Sequence, residues 1–342
     1  MTLSSQEKLS LLSNMATMLG AGIPILEVVN SLLEDTVGHQ RYLLSKLRDD
    51  LIQGKKVADS LQDFPDIFDN ITINLLRASE EAGTLETTLR DLRDHTQVEM
   101  EFMDKIKFAM LYPIVILLVF AAVLAVTLFF VVPRISSVFL RLKVELPLPT
   151  KILIWLSQTL TNYWTLVVIM SAVIIITGVW LYKKNKRMLA GLGSHLPLVG
   201  PLIRLIDFTQ FSRSMYLLLA SGLPILSALG LAVGVVVDPQ VARLIGDACE
   251  MVMAGKPLSE GLRRGRGIAP VLLLKLTEAG ERTGTLDKSM QEVSKHLDYE
   301  VSNTLKTVTA LLEPIMLVAV GVSVGGMMLA IIAPIYGLIG QV

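Results

Sequence analysis

Two residue pairs have the spacing that most invites chemistry: His95 with Glu99, and His296 with Glu300. A four-residue step puts each pair on one helical face, where an imidazole and a carboxylate can share a metal ion. The same step also describes a partly exposed polar stripe on a helix, so no metal is assigned. The other histidines are His39 and His195, and Cys249 is the only cysteine. A lone cysteine excludes an intramolecular disulfide and any Cys-pair zinc site, and it fits a reducing compartment. Gly54-Lys55 and Gly255-Lys256 resemble fragments of a phosphate loop. However, Asp49 and Glu250 stand where that loop needs its first glycine, and Lys56 and Pro257 where it needs Ser or Thr. The chain contains no His-Glu-x-x-His and no Gly-x-Ser-x-Gly motif. Catalysis is not expected, and no cofactor is assigned.

Charge clusters are the better candidates for recognition. Glu80 and Glu81 precede Gly83; Glu278 and Glu281 precede Gly284. An offset of 200 sets Glu80 and Glu81 opposite Gly280 and Glu281. A cationic partner would meet these carboxylates, although solvated helix ends account for the same residues. Arg263, Arg264 and Arg266 form a basic counterpart, open to anionic lipid, an acidic protein surface or water. Near the carboxyl end, Glu313 before Pro314 is the one ionisable residue of a long apolar run, which makes it a functional candidate in a membrane setting. Gly321, Gly325 and Gly326 supply a small-residue face for close helix packing, with a weaker one at Ala121 and Ala125.

The elements that would position these residues follow from hydropathy. The 342 residues are 52% hydrophobic and 18% charged, with a mean hydropathy of +0.58. That is too apolar for an ordinary soluble chain. The formal charge is zero, so no basic field favours nucleic acid. Residues 108–132 form the first predicted span, since about 20 apolar residues suffice to cross. Residues 161–182 form the second, closed by Lys183, Lys184, Lys186 and Arg187, and residues 312–337 the third. Residues 133–160 read as a short periplasmic loop. Lysine and arginine near the span ends place the amino terminus in the cytoplasm and the carboxyl terminus in the periplasm. The first residues lack the pattern of a cleavable signal.

Self-comparison organises the rest. Gly22-Ile23-Pro24-Ile25-Leu26 recurs as Gly222-Leu223-Pro224-Ile225-Leu226. Gly54-Lys55, Gly83-Thr84-Leu85, His95, Glu99, Pro113 and Pro133 recur about 201 residues later. The unit is a polar region followed by one span, and it occurs twice. The unpaired second span returns the chain so that both polar regions share one side. Helical spacing at Leu11, Met15, Met18 and Leu19, glycine punctuation and the absence of strand signals predict helical bundles over 1–107 and 183–311. A long helix is predicted to run from Leu85 into the first span. The fold class is an all-α membrane protein: two homologous cytoplasmic bundles of differing local charge, and three transmembrane helices.

Taken together, several segments resemble the type II secretion F protein family, which includes the platform proteins of type IV pili. They are Met18-Leu19-Gly20-Ala21-Gly22-Ile23-Pro24 with Leu218-Leu219-Ala220-Ser221-Gly222-Leu223-Pro224, the turns Glu80-Glu81-Ala82-Gly83-Thr84-Leu85 and Glu281-Arg282-Thr283-Gly284-Thr285-Leu286, and Lys105 to Pro113 followed by Val131-Val132-Pro133. Leu312-Glu313-Pro314 and Ala333-Pro334-Ile335-Tyr336 resemble the family's closing segment. The resemblance implies a non-enzymatic, oligomeric platform in the bacterial inner membrane. Its implied partners are a cytoplasmic assembly ATPase, pilin or pseudopilin subunits and other inner-membrane assembly proteins. Many members begin with an additional amino-terminal extension, whereas the first bundle here starts almost at Met1.

Overall fold

Helix α1 (Ser5–Gly20) begins on a capping box: Ser4 Oγ accepts the Glu7 N–H at 3.2 Å, and the Glu7 carboxylate accepts the Ser4 N–H at 2.7 Å. Leu11, Leu12, Met15 and Ala16 recur at helical spacing and are buried on its inner face. The helix ends at the Ala21-Gly22 turn, where Gly22 takes a φ of 81° that a side chain would oppose. Pro24 then precedes α2 (Ile25–Glu34), and α3 (Gly38–Ile52), the short α4 (Val57–Leu61), α5 (Asn70–Ala82) and α6 (Leu85–Val126) follow. The computed structural model describes residues 3–142, 148–166, 169–170, 173, 176–177, 199–265 and 267–339, and among them every regular element is helical.

After α6 the helix continues as a π turn (Thr127–Val131), then α7 (Val132–Leu142) and α8 (Leu148–Asn162). The second half repeats the first: α9 (Val199–Ala220), α10 (Ile225–Ala232), α11 (Pro239–Met253), α12 (Leu258–Arg263), α13 (Val271–Thr283) and α14 (Leu286–Ile339). The duplication extends to backbone conformation, because Gly22, Gly54 and Gly83 have positive-φ counterparts at Gly222, Gly255 and Gly284. The offset is 200 at α2 and 201 from α3 onward. The extra residue of the second copy lies between α10 and α11, where a 3₁₀ turn (Val233–Val235) takes it up.

The chain divides into two units. The first comprises Met1–Lys105 with Ala190–Ser302 and holds α1–α5, α9–α13 and the amino-terminal parts of α6 and α14. Both copies contribute to one connected apolar core: α5 packs on α9 and α10, and the fully buried Phe208, Phe211, Met215 and Leu218 of α9 join Leu75, Leu76 and Leu89. The sequence treats the two bundles as separate modules; within this unit their helices share a core.

The second unit comprises Ile106–Leu189 with Asn303–Val342. Here α6 and α14 are each long and apolar enough to cross a membrane, and their apolar side chains are exposed: Phe108 is 71% and Leu317 67% accessible. In water such a band would be strongly unfavourable; in hydrocarbon it is the stable arrangement. Helix α6 with the π turn that continues it covers the first predicted span as far as Val131, and α14 contains the third. Of the second predicted span, residues 161–162 end α8, Tyr163 is a turn, and residues 164–166, 169–170, 173 and 176–177 are helical. The rest of it, and the Lys183, Lys184, Lys186 and Arg187 that follow, lie outside the described residues, so three spans are not established. Residues 133–160, read as a loop, are helical over most of their length, as α7 and α8.

Candidate docking surface

Helix α4 has five residues and α12 six, too few to hold together alone. Each is braced from the next helix. The Glu80 carboxylate of α5 accepts the Val57 N–H at 2.5 Å and the Ala58 N–H at 3.0 Å, at the free amino end of α4. In the second copy Glu281 of α13 accepts the Leu258 N–H and, at 3.1 Å, the Ser259 N–H of α12. A carboxylate facing two unpaired N–H groups and the positive end of a helix gains on both counts. Gly83 and Gly284, at φ 70° and 71°, end α5 and α13 one turn beyond these glutamates and fix where they point.

This pairing corrects the register. Glu80 corresponds to Glu281, not to Gly280, and both are internal braces whose acceptor capacity is engaged. Glu81 corresponds to Arg282. Glu81 accepts from Lys56 Nζ at 2.8 Å on the exposed surface; the ammonium holds this carboxyl below its usual range, and the carboxylate raises the lysine in turn. Glu278 pairs with Arg263 and, at 2.8 Å, with Arg282. Its counterpart is Arg77, which reaches Asp59 Oδ1 at 3.2 Å and Gln62 Oε1 at 2.7 Å.

The corner therefore has one architecture and exchanged charges: Arg77 against Glu278, Glu81 against Arg282, Gln62 against Arg263. Arg263 and Glu278 were read as members of opposed basic and acidic patches; they instead line one groove with Pro257, Ser259, Glu260, Glu281 and Arg282. Neutralisation inside one corner replaces two opposed fields. Arg264 is exposed at the end of α12, and Arg266 lies outside the described residues.

A charged cluster that sequence reading missed sits between α6, α9 and α14 in the first unit. Arg213 of α9 is 6% exposed; its guanidinium lies 4.9 Å from the Phe102 ring and 3.8 Å from Asp298 Oδ1. Burial pulls the arginine's affinity for its proton down, partly offset by Asp298, yet guanidinium remains charged. Lys105 Nζ reaches the other Asp298 oxygen at 3.2 Å. Phe102 and Lys105 come from the first copy, Arg213 and Asp298 from the second, so the cluster ties the two together. His95 and Glu99 border the same arginine in a small cavity with Asp69 and Gln210. Their counterparts differ: His296 Nε2 and Glu300 Oε1 lie 3.2 Å apart on an exposed face. Among the described residues no three His, Cys, Asp or Glu side chains converge as a metal site would require.

Asp207 is a second buried charge. It is 2% exposed and accepts the Val237 N–H at 3.1 Å and the Asp238 N–H at 2.6 Å, fastening the turn that absorbs the inserted residue. Burial pushes its carboxyl up to about 6, the two backbone bonds oppose that, and neighbouring Asp238 adds to it. Asp50 goes the other way, to about 2, chiefly because Lys55 and Ser60 bond to its ionised form.

In the second unit Glu313 is exposed on α14 within the apolar band. A Cβ placed on Gly321, Gly325 or Gly326 would meet nothing within 4 Å, so among the described residues no helix occupies that small-residue face.

A duplicated helical body with its charges paired internally, attached to exposed apolar helices, defines a membrane-associated scaffold. Comparison with known proteins specifies which. The family profile described as Type II secretion system (T2SS), protein F, matches residues 11–133 and again 211–334. The chain belongs to this family. It is 30% identical over 328 residues to the type IV pilus assembly protein PilC of Pseudomonas aeruginosa, covering 95% of this chain and 87% of that protein. It is also 30% identical over 342 residues to the type II secretion system protein F of Aeromonas hydrophila, covering 97% and 86%. A third relative, PilC of Thermus thermophilus, is 30% identical over 329 residues, covering 95% and 81%.

Proposed function

We propose that the chain is an inner-membrane platform for assembly of a type IV pilus or type II secretion pseudopilus, coupling a cytoplasmic assembly ATPase to pilin polymerisation. The observation that carries this reading is the family match, which covers both copies of the repeat, with relatives from pilus and secretion systems at equal identity. The charge pairs that brace the first unit and tie its two copies together suit a scaffold that transmits force. In this reading the amino terminus and both bundles are cytoplasmic, the carboxyl terminus is periplasmic, and spans at 108–132, 161–182 and 312–337 anchor the platform. Several copies assemble around the emerging filament, with Gly321, Gly325 and Gly326 as a packing face.

The braced corners are the proposed docking surfaces. Glu81 with Lys56 in one copy, and Arg263, Arg264, Glu278 and Arg282 in the other, are among the side chains there that a partner can reach. Exchanged charges at equivalent positions give one partner two different grips. The test is co-purification of the ATPase with Glu81→Lys and Glu278→Lys variants that insert normally. The expected result is weakened capture; unchanged capture by both would remove these corners from the interface.

A further inference from the structure

We infer that the outward face of α8 is seated in lipid, so that the chain's second membrane crossing begins in the first half of this helix, near Ile152, and not at residue 161. This rests on the crossing at 108–132 proposed above. A helix in water buries its apolar side and exposes its polar side. Over its first two and a half turns helix α8 does the reverse. Thr150 and Ser157 are buried there, 2% and 1% exposed, while Leu148, Ile152, Trp155 and Leu156 stand out at 75%, 64%, 66% and 41%; the exposed polar residues are Lys151 and, toward the carboxyl end, Gln158, Thr161 and Asn162. Inverted polarity is the mark of a helix whose solvent is hydrocarbon and whose polar groups must find partners inside the protein.

Depth is fixed by one hydrogen bond. Ser157 Oγ donates to the Leu128 carbonyl at 2.6 Å. Leu128 belongs to the π turn of the first crossing, within an uncharged run that ends only after Val132. Helix α8 packs along that turn, so Ser157 lies at the level of the first crossing's final apolar turns. The apolar face of α8 is thus continuous with the exposed Phe130 and Val131 of the same turn. A π turn that meets a partner hydroxyl is a common way for a membrane helix to satisfy irregular backbone.

The sequence agrees in length and composition. From Ile152 to Tyr182 no residue is charged, well beyond the roughly 20 needed to cross, and Lys151 closes the run at its start. Exposed Trp155 falls near its start, where an amphipathic ring favours the boundary between headgroups and acyl chains. Bilayer lipid is therefore the occupant of this face, with Trp155 near the boundary.

The experiment places a nitroxide label at Ile152 and at Leu156 in the full chain carrying Cys249→Ser, reconstituted in phosphatidylethanolamine–phosphatidylglycerol vesicles. A label at Val119, mid-run in the first crossing, serves as reference. Collision rates with oxygen, which concentrates in hydrocarbon, and with a water-soluble nickel chelate are measured at each. The expected result is oxygen access exceeding nickel access at both α8 sites, at a shallower depth than Val119. Free access of the nickel chelate would make α8 part of an aqueous loop and overturn the inference. Low access of both quenchers would show a protein partner on this face and overturn it equally. An aqueous profile at Val119 itself would bring down the first crossing, and the inference with it.

Discussion

Replacing Glu281 with alanine isolates the bracing role from the docking role. In the structure this carboxylate is the acceptor for two N–H groups at the start of α12, Leu258 and Ser259, both partly buried. Removing a helix-capping acceptor costs about 0.5–2 kcal/mol, and a charge-assisted hydrogen bond contributes about 1.5–3 kcal/mol. Water can reach part of this corner, so the overlap of the two ranges applies, about 2 kcal/mol for opening α12. That corresponds to roughly thirtyfold faster amide exchange at these positions. Hydrogen exchange read by mass spectrometry on the full chain would show the increase in peptides covering residues 257–263, while peptides from α1–α3 stay unchanged. Glu80→Ala should do the same to residues 56–62, because the geometry is repeated. Unchanged exchange across α12 in Glu281→Ala, with loss of ATPase capture, would refute the bracing argument and return Glu281 to the partner surface.

Asp207, held at about 6 in the folded protein against 3.8 for the free side chain, binds its proton more tightly when folded. Its contribution is present below about pH 4 and is lost as pH rises through about 6, amounting to at most about 3 kcal/mol. Thermal unfolding in detergent should therefore show Asp207→Asn gaining on the wild type between pH 4 and 7; a pH-independent difference would contradict this. Arg213→Met should destabilise the first unit by about 2–4 kcal/mol, since it removes the cation between Phe102 and Asp298, and Asp298→Asn in the same chain should recover part of the loss. Strictly additive effects in that double-mutant cycle would show that the two groups do not interact. Glu313→Gln is expected to cut piliation or secretion severalfold at normal protein level; wild-type output would reduce Glu313 to an ordinary boundary residue.

Much of the architecture was legible because it rests on local or self-similar signals. Glycines at 22, 54 and 83 and their counterparts mark real left-handed turns, the Leu11–Met15 spacing marks a buried face, and the uninterrupted stretch after Leu85 is one helix. Pairing was less legible. A one-residue insertion between α10 and α11 shifts the repeat register, and reading Glu80 against Gly280 hid the equivalence of the two braces. The stronger turn match, Gly83-Thr84-Leu85 with Gly284-Thr285-Leu286, already carried the correct offset. Arg213 carried no signal at all, because its partners are more than 80 residues away on other helices. Helix α8 was not singled out in the segment read as a loop, because Lys151, Ser157, Gln158, Thr159, Thr161 and Asn162 dilute its hydropathy.

The most direct test of the platform function is deletion of this gene in its native host, with pilin and assembly ATPase levels verified, followed by electron microscopy of surface filaments and a secretion assay in parallel. The account predicts loss of filaments or of secretion, restored by the wild-type chain; both at wild-type levels in the deletion strain would contradict it.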